Sequence, residues 1–152
     1  MRRGGAVAFA LLCAAAPAAP SGGAGTERTV EGARAVLDAQ VVAWYRGDLE
    51  GFMAGYWNSP DLVFQSGATV TRGWPATIAR YRKRYQSEGR EMGRLRFDEI
   101  DVQPLGPDAA LARGRWHLVM KDGSEPNGLF TLILRRFSDG WKIVHDHTSA
   151  AP

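Results

Sequence analysis

The chain has 152 residues, 45% hydrophobic and 23% charged, with a formal net charge of +3 at pH 7 and a single cysteine. That length and balance suit one globular domain, and a lone thiol excludes an intramolecular disulfide framework and a multi-thiolate metal site. Arg2 and Arg3 supply two of the three excess charges, so the basic balance is weak ground for a nucleic-acid partner.

The first stretch reads as a targeting segment. Arg2 and Arg3 form a short positive region, and Ala6 to Ala16 is an apolar run too short to anchor across a bilayer. Small residues follow, and Ala14-Ala15-Ala16, Ala16-Pro17-Ala18 and Ala24 offer cleavage positions. This is the pattern of a secretory signal peptide. The expectation is a periplasmic or secreted protein, with residues 1–24 as signal peptide and leader. A lipoprotein signal would place a small residue before Cys13, where Leu12 stands. Cleavage would remove the thiol, and with it any cysteine nucleophile, and would leave a net charge of +1. Pro20 to about Arg28 is rich in Gly, Ser and Thr and is expected to be flexible.

Glu31 to Arg46 has helical spacing in Ala33, Val36, Leu37, Val41 and Trp44. Gly47 ends it, and Asp48 is placed to cap a short second helix with Leu49, Phe52, Met53 and Tyr56 as its stripe. Asn58-Ser59-Pro60-Asp61 breaks that helix. Leu62 to Ser66 is a first strand and Thr69 to Arg72 a second. Pro75 opens a third helix with the stripe Trp74, Ile78, Tyr81 and Tyr85, and Gly89 and Gly93 bracket its end. Longer strands follow at Leu95 to Val102, Ala109 to Met120 and Gly128 to Phe137, the first closed by a turn at Pro104-Leu105-Gly106-Pro107-Asp108. In the strand from Ala109, alternation puts Ala110, Ala112, Gly114, Trp116, Leu118 and Met120 on one face and Arg113, Arg115 and His117 on the other.

The last strand, Gly140 to about Ser149, carries two of the three histidines. Strict alternation sets Trp141, Ile143, His145 and His147 on one face and Lys142, Val144, Asp146 and Thr148 on the other. With Asp139-Gly140 as a two-residue loop, Leu134 opposes His145 and Leu132 opposes His147. The histidines would then stand among Phe130, Leu132, Leu134 and Ile143, at the polar end of an apolar core.

The element order, with Gly47-Asp48-Leu49-Glu50-Gly51 after an amphipathic helix, Gly73-Trp74 before the third helix and the tail Gly140-Trp141-Lys142-Ile143-Val144-His145-Asp146-His147-Thr148-Ser149, resembles the NTF2-like superfamily. The likeness covers roughly residues 30 to 150 and is strongest to its SnoaL-like and DUF4440 branch. The tail is also similar to the last strand of the calmodulin-dependent kinase association domain. The resemblance implies an α+β cone, with three N-terminal helices packed on a curved antiparallel sheet, a pocket inside it and pairing of two subunits through the outer sheet face. Fold does not carry function. Ketosteroid-type proton transfer needs a carboxylate base, a tyrosine and a protonated acid. Matching the family places Gln40, Ser66 and Ile133 at those positions, which argues against that reaction. Cyclases of the SnoaL branch also use an acid/base group in the pocket.

On these grounds His145 and His147 are the candidate catalytic groups, because imidazole titrates near working pH; the plainer reading makes them hydrogen-bonded residues of the pocket rim. Tyr56, Ser66, Tyr81 and Trp116 are the candidate ligand-binding walls. A His-x-His metal site would need a third ligand, and His117 lies on the wrong face, so no metal and no cofactor are expected. Arg80, Arg82, Lys83, Arg84, Arg90, Arg94 and Arg96 read as a solvated face rather than a nucleic-acid patch. The sequence shows no nucleophile elbow, P-loop or dinucleotide fingerprint. The expected partners are a small apolar or amphipathic ligand and a second copy of the chain, with no nucleic acid and no stable membrane span. Three functions remain open: an exported small-molecule-binding domain, an isomerase-, cyclase- or dehydratase-like enzyme, and a self-associating module.

Overall fold

A computed structural model describes residues 22–87 and 91–152. Arg2, Arg3, Cys13 and the run to Ala18, with Gly89 and Arg90, lie outside the described residues. The chain forms α1 (Gly22–Tyr45), α2 (Leu49–Met53), β1 (Val63–Ser66), β2 (Thr69–Arg72), α3 (Trp74–Tyr85), β3 (Arg94–Gly106), β4 (Ala109–Val119), β5 (Asn127–Phe137) and β6 (Gly140–Thr148). This is the α+β architecture expected, with the three helices ahead of the long strands. No helix among the described residues is long and apolar enough to cross a membrane.

Helix α1 begins nine residues before the expected Glu31. The Gly-rich start has poor helix propensity, but tertiary contact overrides it. Thr29 is buried, and its hydroxyl lies 3.1 Å from the Gly25 carbonyl and 3.4 Å from that of Pro107. Thr29, Ala33, Leu37, Gln40 and Trp44 make the buried stripe. Gly32 lets α1 lie close to the sheet, since a Cβ there would run into the Trp141 indole. The Asp48 carboxylate accepts from the Gly51 amide at 2.8 Å, capping α2 as expected. The Trp74 indole at the start of α3 donates to the Met53 carbonyl at 2.9 Å, tying α3 to the end of α2.

The six strands form one open sheet in the order β2-β1-β6-β5-β4-β3. Every pairing is antiparallel except β1 with β6. The register shifts at three places, one of them near the end of β3 between Pro104 and Gly106. In β3 the register slips between Asp98 and Asp101, where Glu99 takes a φ of 54°. In β6 it slips between Ile143 and His145, leaving Val144 as the extra residue. The core lies between α1, α2, α3 and the concave face. Trp44 packs edge-on to Phe52 and Tyr85, with ring centroids 4.9 Å away in each case.

The β5–β6 hairpin corrects the expected register. Phe137 pairs with Gly140, so the loop is Ser138-Asp139 rather than Asp139-Gly140. That shift alone moves the pairing by two and leaves every face unchanged. The Val144 bulge adds one residue and inverts the rest of the strand. Ile133 opposes His145, Leu132 opposes Asp146 and Thr131 opposes His147. Asp146 therefore turns inward, while His145 and His147 turn to the convex face, opposite to the face that strict alternation gives them.

Candidate functional site

A cavity of about 110 Å³ opens between the helices and the concave sheet face. That is well above the roughly 10–15 Å³ needed to admit one water, so several small groups fit. Phe52, Phe64, Tyr85, Phe97, Trp116 and Phe130 supply much of its wall. Asp146 is the one carboxylate that borders it among the described residues.

Asp146 is 3% exposed, and both its oxygens are engaged. The Tyr56 hydroxyl donates to Oδ2 at 2.7 Å, and the Thr148 hydroxyl donates to Oδ1 at 2.6 Å. The Tyr81 hydroxyl lies 3.3 Å from that of Tyr56. With Tyr56 donating to the carboxylate, its oxygen is left to accept from Tyr81, which gives a chain Tyr81–Tyr56–Asp146. Each link is set locally. Tyr56 follows α2 and bridges in parallel to Ile143. Tyr81 lies two turns into α3 among Phe52 and Phe64, at 5.2 and 5.7 Å between ring centroids. Asp146 is turned inward by the bulge.

Burial pushes the Asp146 carboxyl up from 3.8 to about 6, against the opposing pull of Thr148, Tyr56 and His147. Burial, and then the neighbouring Asp146, hold the Tyr56 and Tyr81 phenols well above their usual value. The group that titrates near neutrality inside the cone is thus a carboxyl at the end of a chain of two neutral phenols. Such a set can hold a polar ligand group by hydrogen bonds, and its carboxyl can give or take a proton.

Tyr56, Ser66, Tyr81 and Trp116 all border the cavity. The Trp116 indole is tied back to the Ser149 carbonyl at 2.9 Å. His145 and His147 do not border it; partial burial and the neighbouring His147 hold His145 below its usual value. Their convex-face placement removes the observation on which a pocket role for them rested. Gln40 borders the cavity and donates to the Phe52 carbonyl at 3.2 Å, whereas Ile133 pairs with His145 on the convex face. His117 lies 3.2 Å from Asp98 on the convex face. Among the described residues no group of three or more His, Cys, Asp or Glu side chains is placed to hold a metal ion.

The basic residues of α3 divide. Arg82 pairs with Glu50 on the surface. Arg80 and Arg84 border the cavity, with guanidinium carbons 5.4 Å above the Phe64 ring and 5.5 Å above the Tyr85 ring.

Residues 33–152 match the SnoaL-like domain model, and the chain belongs to that family. An NTF2-like protein of unknown function from Shewanella oneidensis MR-1 is 36% identical over 79% of this chain and 98% of its own, with a TM-score of 0.73. A cystatin-like fold protein from Burkholderia xenovorans LB400 is 26% identical over 82% and 95% of the two chains, at a TM-score of 0.63. A protein from Thiobacillus denitrificans ATCC 25259, provisionally named a calcium/calmodulin-dependent protein kinase type II association domain, is 23% identical over 78% and 94%, at 0.64. That last likeness shows the fold alone. No curated protein matches the chain.

Proposed function

We propose that this SnoaL-like domain binds a small amphipathic molecule inside its cone and holds it through the Tyr81–Tyr56–Asp146 chain. The observation that carries this reading is a carboxyl buried at the wall of an aromatic cavity, where its charged form is disfavoured. A position with only a packing role is served better by an apolar side chain, and perturbed carboxyls in apolar pockets gather at functional sites. Ser66 and Trp116 join Tyr56 and Tyr81 as ligand-binding walls. Where the ligand carries an acidic C–H or a departing hydroxyl, Asp146 is the group to move the proton, which favours isomerase-, cyclase- or dehydratase-type chemistry. Native mass spectrometry of the protein purified from its own host tests the reading. A reproducible added mass, lost in Asp146→Leu while circular dichroism shows a folded chain, is the expected result. A bare mass, with no ligand taken up from a small-molecule library, would sink it.

The convex face favours a second property, pairing with another copy. Leu129 is 51% exposed on β5, and Ile133 and Leu111 share its face. Sedimentation should give a dimer that Leu129→Glu converts to a monomer; a wild-type monomer at tens of micromolar would end the idea. Export completes the proposal. An intact mass from the host should show an N-terminus within the small-residue run, and a retained Met1 would contradict it.

A further inference from the structure

We infer that the ligand is a small carboxylate-bearing molecule whose anionic end meets Arg80 and Ser66 and whose apolar body lies among Phe64, Phe97, Trp116 and Phe130. This rests on the cavity reading and adds the charge of the occupant. The described lining holds two guanidinium groups, Arg80 and Arg84, against one carboxyl. Asp146 forms no ion pair with Arg80 within 4.0 Å; its oxygens accept from Tyr56 and Thr148.

Arg80 is half-buried and rests on the Phe64 ring. Among the described residues it has no acidic partner within 4.0 Å, unlike Arg82 two residues on. A guanidinium held over a ring face keeps its charge and its N–H donors, the groups that bind a carboxylate. Phe64 and Ser66 are two apart on β1, so they share a face. The Ser66 hydroxyl borders the cavity and makes no hydrogen bond among the described residues. A charged fork and a spare hydroxyl thus flank one aromatic slot. The cavity suits a small occupant, such as a monocyclic aromatic or short branched acid.

Benzoate and benzamide have the same shape and differ in charge, so they test the inference directly. Each is titrated into the full chain at pH 7.5 by calorimetry, with NMR shifts of the Trp116 indole reporting occupancy of the cavity. Benzoate should bind at least tenfold more tightly than benzamide. Arg80→Gln should weaken benzoate about tenfold and leave benzamide within twofold. Arg82→Gln, with the same charge change outside the cavity, should alter neither. If benzamide binds as well as benzoate, or benzoate ignores Arg80→Gln, the anionic inference falls and the cavity reading stands. If neither compound shifts Trp116 at millimolar concentration, the cavity reading falls with it. A thermal melt of Arg80→Gln matching the wild type excludes loss of fold as the cause.

Discussion

Replacing Asp146 by Asn tests the central physical claim, that burial has made this carboxyl reluctant to ionise. In the folded chain it titrates at about 6, against 3.8 for an unburied carboxyl. The folded state therefore holds the proton more tightly than the unfolded state does. The stabilising contribution is present below the unfolded value and is lost as pH rises through the folded one. One pKa unit is about 1.4 kcal/mol, so ionised Asp146 costs on the order of 3 kcal/mol above pH 7, most of which appears between pH 4 and 7.5. The amide of Asp146→Asn has no proton to lose. It can still accept from Thr148 or Tyr56, and any hydrogen bond it forfeits is forfeited at every pH. Urea unfolding of both proteins at pH 4, 5, 6 and 7.5 isolates the effect, because all other titrating groups cancel in the difference. Stability of Asp146→Asn relative to wild type should climb by on the order of 2–3 kcal/mol across the series. A flat difference, or one that falls with pH, would refute the argument.

Tyr56→Phe removes the hydroxyl that donates to Asp146 at 2.7 Å. Stability at pH 7.5 should drop by about 1–3 kcal/mol, with a smaller drop at pH 4 where the carboxyl is protonated, read by the same urea titrations. The His145→Ala/His147→Ala double variant changes only convex-face side chains near the strand, so the affinity of a cavity ligand should stay within about twofold by calorimetry; a larger loss would contradict the inverted register. Gly128→Ala puts a Cβ 2.8 Å from the Trp116 indole nitrogen and closer still to the Ser149 carbonyl. That crowding should cost about 1–3 kcal/mol and break the bond that holds Trp116 to the tail, seen as a lower melting temperature and a shifted tryptophan emission.

Most of the fold was legible because apolar residues mark it. The stripes of α1 and α3 and the alternation of β4 are carried by side chains whose burial leaves one choice of face. Even the β3 bulge is written in the sequence. Leu95 and Phe97 face inward, then Ile100 and Val102, with the spacing stretched by one between the pairs. The β6 bulge has the same form, Trp141 and Ile143 and then Asp146 and Thr148, but its second pair is polar. Hydrophobic pattern cannot orient a carboxyl and a hydroxyl. Two histidines in the intervening positions made the uninterrupted alternation look like a pocket rim. Tyr56, Tyr81 and Trp116 could be placed at the cavity because each lies on an apolar stripe, whereas Asp146 could not, because its burial depends on partners from other elements.

The position of the β6 bulge follows from what β6 must pair with on its free edge. Up to Ile143, that edge is taken by the chain leaving α2: the Trp57 amide donates to the Ile143 carbonyl at 2.9 Å, and the Ile143 amide to the Gly55 carbonyl at 2.8 Å. From His145 onward the neighbour is β1, in a parallel register that sets Phe64 beside Asp146 and Ser66 beside Thr148. Val144 lies at the change of partner, where an extra residue interrupts no ladder on that side. The same junction delivers Tyr56 from one neighbour and Phe64 from the other to either side of Asp146. The break in pairing and the gathering of the site are therefore one structural event. Phe64 in turn carries Arg80 on its ring, so the charge on α3 is referred to the same point of the sheet. Removing the extra residue would return Asp146 to the convex face and take the one carboxyl of the described lining out of the cavity.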